Sequence, residues 1–278
     1  MSVSEGMPPT PVDCLLGLGA NLGDRAATLD AAIDDLAGVR GVRVTRVSDW
    51  LVSVPVGGPP RQGEFLNGAA RLETILSPSD LMQQLRVIEG RHGRTRRVRW
   101  SARTLDIDLL LYGDAKIDDP RLPLEVPHQR MSFRPFVLGP AVAIAAEMRH
   151  TRLDATLGEL AQRLATGDDE IAVLGGVEGD RVEVAALLAG FGSAYRIETD
   201  AEPDDRPKLQ VCLDDRASPL KGTPAVWVDA GANTARDELR AAVECVWPSQ
   251  TPAEGRRDAV IPAAYNAANR CNQQRATD

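Results

Sequence analysis

The chain has little lysine, few aromatic residues and no cysteine spacing of any use. Of its 32 basic residues only Lys116, Lys208 and Lys221 are lysines, so nearly all its positive charge is guanidinium. Phe, Trp and Tyr make up 4% of the chain, so each aromatic must be asked what it is for. Cys14, Cys212, Cys245 and Cys271 are scattered with no CxxC and no histidine at ligand spacing, which excludes a zinc site and a disulfide framework. No basic-then-apolar opening marks a secretory signal. The charge-free stretch from Pro135 to Ala146 is too short and too broken by Pro and Gly to span a membrane. Acids outnumber bases 40 to 32 for a net charge of −8, a poor basis for wholesale nucleic-acid binding. These absences lead to the expectation of a cytoplasmic protein in a reducing compartment, without membrane or nucleic-acid partners; a monomer is also expected, though no feature of the sequence carries it.

What is present suffices for a packed core. Hydrophobic residues are 43% of 278, and that length accommodates two domains. After a flexible lead-in, Val12 to Leu18 reads as a buried strand, stopped at Gly19-Ala20-Asn21-Leu22-Gly23. Leu29, Ile33 and Leu36 define one face of a helix, and Val42 to Val54 reads as one β-branched strand. Pro55 to Gly63 must be loop, and Phe65 to Glu73 a third strand. Ser77-Pro78-Ser79-Asp80 starts a helix carrying Leu81, Leu85 and Ile88, and Leu105 to Tyr112 is a fourth strand. The order predicts an α+β, ferredoxin-like β-α-β-β-α-β domain with its helices on one face of an antiparallel sheet.

Composition changes near Thr166-Gly167. Between Asp168 and Asp215 stand thirteen acids and four bases. A smaller α/β domain is expected over 167–255, with strands at Ile171 to Leu174, Leu209 to Leu213 and Ala225 to Val228. Helices are expected at Val182 to Leu188 and Ala235 to Val246, and residues 256–278 are expected to be a flexible tail.

The chemistry is concentrated in one stretch. Asp106 and Asp108 lie two apart on a predicted strand, so both carboxylates project from one face. Carboxylates in so apolar a strand suit a hard cation such as Mg²⁺ shared with substrate phosphates; equally, they could be two surface acids. Just upstream, Arg91, Arg94, Arg96, Arg97, Arg99 and Arg103 fall in thirteen residues without an acid. Guanidinium forks fit polyphosphate oxygens. The rival is a catalytically inactive nucleotide- or nucleic-acid-binding protein using the run from Arg91 to Arg103. That the run leads directly into the acid pair favours phosphate plus metal.

The stretch Arg99-Trp100-Ser101-Ala102-Arg103-Thr104-Leu105-Asp106-Ile107-Asp108 resembles the signature of the 6-hydroxymethyl-7,8-dihydropterin pyrophosphokinase family of the folate pathway. Four further blocks agree in order: Leu18 to Arg25; Pro55-Val56-Gly57 with Phe65-Leu66-Asn67; Ile88-Glu89 with Gly93-Arg94; and Val126-Pro127-His128 with Met131, Arg134 and Phe136-Val137-Leu138. The resemblance covers about residues 12–150, within a catalytic domain of 12–166. It implies transfer of the pyrophosphoryl group of ATP to the hydroxymethyl oxygen of the pterin, releasing AMP. Two Mg²⁺ ions would be held by Asp106 and Asp108. Arg94, Arg96 and Arg103 would grip the triphosphate, Arg94 and Arg103 also neutralising transferred charge. Glu89, His128 and Arg134 match ATP-side positions, and Trp100 a substrate-site aromatic. Phe65 and Phe136 match the rings that stack on the pterin, although either would serve as ordinary core. Asn67 matches the amide that reads its edge, completed by Ser53, Val54 and Val56.

Departures from the family pattern are Ala20 for Ser, Ser101-Ala102 for Gly-Pro, Ser53 for Thr, Gln129 after His128, and Arg86 where a Gln commonly contacts ATP. Gly17-Leu18-Gly19 begins like a dinucleotide fingerprint but fails it at Leu22, so the turn is expected to be structural support. Ile171 to Arg181 has the strand–glycine turn–helix outline of a P-loop without its Lys-Ser/Thr pair, and is expected to be a non-catalytic remnant.

Overall fold

The computed structural model describes residues 10–56, 62–93, 103–119, 124–191, 196–198, 206–213, 219–229, 232 and 234–248. The expected tail lies outside them. Four antiparallel strands form the first sheet in the order β2-β4-β1-β5: β1 (Val12–Ala20), β2 (Val42–Val47), β4 (Phe65–Thr74) and β5 (Asp106–Tyr112). A short β3 (Leu51–Ser53) pairs with the start of β4. The single strand expected over Val42 to Val54 is therefore two. At the break, Ser48 keeps the contact with β4 through its backbone N–H on the Ala69 carbonyl and its Oγ on the Ala69 N–H, both 2.9 Å.

Helices α1 (Arg25–Ala37) and α2 (Pro78–Arg91) start where short polar side chains cap them. Asp24 accepts from the Ala27 N–H, and Ser77 accepts from the Asp80 N–H ahead of Pro78. Their apolar stripes, Leu29 and Leu36 on one and Leu81, Leu85 and Ile88 on the other, close over Cys14, Leu16, Leu18, Ala70 and Leu72.

The opposite face of the sheet is covered as well, which corrects the expectation of helices on one face only. Helix α3 (Pro135–Ala145) packs there against Leu15, Ala69 and Leu110, and α4 (Leu157–Thr166) packs behind it. Pro135 fits the first turn, where no N–H is needed. The helix is apolar all round because it lies between a sheet and another helix, and so shows no 3.6-residue period to read. Small antiparallel pairs, β6 (Ile117–Asp119) with β7 (Leu124–Val126) and β8 (Arg149–His150) with β9 (Ala155–Thr156), connect these elements.

After α4 the architecture becomes parallel. The second sheet runs β11-β10-β12-β13, from β10 (Asp168–Leu174), β11 (Arg196–Glu198), β12 (Pro207–Cys212) and β13 (Ala225–Trp227). Helices α5 (Glu178–Ala189) and α6 (Ala235–Val246) supply Val184, Leu188, Leu239 and Ala242 to its core. Buried Cys212 and Ala225 also pack with α3 and α4, so the two sheets share apolar contacts. Among the described residues no helix is long and apolar enough to cross a membrane.

Candidate active site at the glycine-floored end of the first sheet

Strand β1 is central, and its register sets out the site. Gly19 stands opposite Asn67 on β4 and Asp106 on β5, while Gly17 stands opposite Ala69 and Asp108. Cross-strand partners project on the same face. Two glycines thus form a floor from which Asn67, Asp106 and Asp108 rise. A Cβ on Gly19 would come 3.1 Å from Asn67 Oδ1, and one on Gly17 would meet the Leu110 side chain at 3.4 Å. The Gly-Leu-Gly sequence that mimics a nucleotide fingerprint therefore serves as clearance.

The carboxylates differ in setting: the Asp108 side chain is 44% exposed and that of Asp106 only 18%. Arg103 ion-pairs with Asp106 through Nη1 and Oδ2. Its backbone is fixed from β1's end, where Asn21 Oδ1 accepts the Arg103 N–H at 2.6 Å and the Arg103 carbonyl accepts the Asn21 N–H at 3.1 Å. Glu89, buried on α2, accepts the Ile107 N–H at 2.8 Å, between the two aspartates on the outer edge of β5. That edge is also met by the His128 N–H, which donates to the Leu110 carbonyl.

His128 brings its imidazole back to the acid pair, with Nε2 4.0 Å from Asp108 Oδ2. Burial, reinforced by the Arg134 and Arg130 guanidiniums, pushes its pKa down to about 3, against the opposing pull of Asp106. It is thus neutral, and its Nδ1 accepts the Arg130 N–H, leaving the proton on Nε2.

On the other side of the glycine floor, Asn67 Nδ2 donates to Ser53 Oγ at 2.8 Å. Phe65 pairs with Ser53 across β3 and β4 and is half-buried. Val54 follows at the surface, with Val56 half-buried. Phe136, half-buried at the start of α3, lies 5.8 Å from the Arg134 guanidinium. Burial lowers the Arg134 pKa. The structure thus gathers Asp106, Asp108, Arg103, His128 and Glu89 around one strand end, and Asn67 and Ser53 beside them. Val56 and Phe136 face the second unit, packing against its core. Arg94, Arg96 and Trp100 lie outside the described residues.

A domain described as 7,8-dihydro-6-hydroxymethylpterin-pyrophosphokinase matches residues 15–146. The 2-amino-4-hydroxy-6-hydroxymethyldihydropteridine pyrophosphokinase of Synechocystis sp. is 38% identical over 164 residues, 56% of this chain and 82% of that protein. The chain belongs to this pterin pyrophosphokinase family. Enzymes of the same name from Pseudomonas aeruginosa and Bacillus subtilis are 42% and 41% identical, each over 48% of this chain and over 81% and 78% of their own lengths. All three alignments leave much of the chain beyond the pyrophosphokinase domain unmatched. A solved structure of Plasmodium falciparum HPPK-DHPS with pteroate aligns with 75% of this chain and 56% of that one, at 12% identity and a TM-score of 0.44, a likeness too weak to carry fold or function.

Three pyrophosphokinase-domain features escape sequence reading as site elements. Gly17 and Gly19 were legible only as a turn approach, and Asn21 only as part of that turn, because their partners lie on other strands. Arg130 has no local signal at all, since its carboxylate partner is Glu238, 108 residues away.

Proposed function

We infer that this chain transfers the pyrophosphoryl group of ATP to the hydroxymethyl oxygen of 6-hydroxymethyl-7,8-dihydropterin and releases AMP, a step of folate biosynthesis. The observation that carries the reading is the row Asn67, Gly19 and Asp106, which sets an amide reader beside a carboxylate pair in a chain of the pterin pyrophosphokinase family. In this reading Asn67 and Ser53 hydrogen-bond the pterin rim, and Phe65 and Phe136 provide apolar ring faces. The hydroxymethyl oxygen bonds to the β-phosphorus while that phosphorus parts from the oxygen leaving with AMP; the hydroxyl proton passes to solvent. Arg103, with Arg94 and Arg96, neutralises the triphosphate, and His128 and Arg134 line the ATP side. Positioning and preorganised charge account for such a transfer without a covalent intermediate.

The donor set suits magnesium. Asp106 and Asp108 offer hard oxygen donors, and the Arg103 ion pair shows that positive charge is favourable at Asp106. Among the described residues no three His, Cys, Asp or Glu side chains cluster to enclose a metal. Phosphate oxygens and water would therefore complete the shell of two Mg²⁺ ions held by the aspartates. Bound there, the ions would offset phosphate charge and align the two substrates.

We read the first sheet as a ferredoxin-like split β-α-β domain over 12–166, on the support of its strand order and antiparallel pairing. Residues 167–255 form a second α/β domain, a non-catalytic relative of P-loop proteins. Its glycine turn supports this: Gly175 and Gly176 take positive φ, but Asp180 accepts the Val177 N–H and Arg181 donates to both glycine carbonyls. One N–H that a phosphate would need, that of Val177, is already taken by an acid. The test of the enzymatic reading is AMP release from ATP that requires both the dihydropterin and Mg²⁺. Absent turnover together with RNA binding through the arginine run would replace it.

A further inference from the structure

The segment between β7 and α3 carries His128 and Arg134 and leads directly into Phe136 at the start of α3, and it is fastened to the second unit residue by residue. Arg130 forms a fork with Glu238, in the first turn of α6, with Nε to Oε2 at 2.9 Å and Nη2 to Oε1 at 2.6 Å. Both partners are largely buried, the Arg130 side chain 22% and the Glu238 side chain 10% exposed. Ser132 is fully buried, and its Oγ donates to the Ala225 carbonyl and accepts the Ala225 N–H, at 3.2 and 3.1 Å. Phe133, also buried, belongs to the core of the parallel sheet rather than to that of its own domain. Three anchors in four residues hold the segment by charge, by backbone-like pairing and by apolar insertion.

We propose that the C-terminal α/β unit is a built-in brace for the pyrophosphokinase site, with Glu238 and Ser132 as positioning residues that set the segment bearing His128 and Arg134 and leading into Phe136. The proposal rests on the reading of this chain as a pterin pyrophosphokinase. Glu238 acts by fixing Arg130, two residues from His128, whose Nδ1 the Arg130 N–H also meets. A buried bidentate pair resists small displacements in a way a single ammonium contact does not. Small misplacements of binding groups are costly to a transfer that works by alignment. The filled turn before α5 agrees with a unit whose contribution is mechanical.

Steady-state AMP release by the full-length chain tests this, with KM measured separately for the dihydropterin and for ATP. Glu238→Ala and Arg130→Met are each expected to raise the ATP KM about tenfold, with a smaller rise in the dihydropterin KM and a smaller fall in kcat. The double variant should be no worse than either alone, because both break one contact. Ser132→Ala should shift the same constants through an independent anchor. Glu238→Gln, which keeps the shape and a hydrogen bond, should recover part of the loss. Unchanged constants in Glu238→Ala, or effects of Arg130→Met and Glu238→Ala that multiply, would overturn the brace. Failure of the wild-type chain to release AMP would instead refute the enzymatic reading on which the brace rests.

Discussion

His150 is a buried histidine with neither ring nitrogen hydrogen-bonded among the described residues, on the short β8 strand. Burial pushes its pKa down from 6.5 to about 3, aided by the nearby Arg152 charge and opposed only by the residue's own backbone. The folded chain therefore keeps this ring neutral while the unfolded chain protonates it below about pH 6.5. Where the unfolded state binds more protons, stability falls as pH falls. The loss begins below pH 6.5 and continues until the folded-state value is reached. At pH 5 one such group costs about 2 kcal/mol, one and a half pH units at about 1.4 kcal/mol each. Replacing it by a side chain of similar volume, His150→Leu, removes both the titration and two unsatisfied nitrogens. Urea unfolding of the wild type and the variant at pH 7 and pH 5 should show a pH-dependent loss smaller by about 2 kcal/mol in the variant. At pH 7 the variant should be at least as stable, since no buried polar atom is left unpaired. Equal pH dependence of the two proteins would mean that His150 protonates freely in the folded chain, and the burial argument would fail.

Three further outcomes are expected. Asp106→Ala combined with Asp108→Ala should reduce AMP release by on the order of a thousandfold at saturating Mg²⁺, with an unchanged circular dichroism spectrum; surviving turnover would remove the metal assignment. Arg103→Ala should lower kcat far more than it weakens dihydropterin binding measured by titration calorimetry, and the reverse pattern would deny it a role in neutralising the transferred group. Gly68→Ala should destabilise the fold by about 1–3 kcal/mol in urea unfolding, because the new Cβ would stand 2.3 Å from the Trp50 ring, which is itself tethered to Asp30; wild-type stability would show that Trp50 swings away at no cost.

Local signals in the sequence were strong where chain neighbours supply the physics. Ser77-Pro78 marks the start of α2, and the spacing of Asp106 and Asp108 on β5 puts both carboxylates on one side of the strand. The span Ala235 to Val246 coincides with α6, whose buried Leu239, Ala242 and Val243 recur at helical intervals. Helix α3 gave no such period, because its sequence is apolar on every side and has no polar face to alternate with. The break after Val47 was hidden by Val52 and Val54, β-branched residues that continue the pattern after the chain has changed strands. The juxtaposition of Arg103 with Asp106 was legible because the two lie three residues apart in one stretch of sequence. The site's supports were not: Asn21 meets Arg103, and Ser132 meets Ala225, over separations of 82 and 93 residues.

The pairing of Ser132 with Ala225 also bears on where this chain can be cut. Among the described residues β13 is the last strand of its sheet, and an open strand edge is a template on which another chain can add itself. Ser132 occupies that edge with the hydrogen bonds a neighbouring strand would otherwise make. A fragment ending near residue 166 would expose the Phe133 ring, and the complementary fragment would expose the edge at Ala225. Each half thus covers on the other a surface on which a further copy could add, so their contact bears on association as well as on geometry.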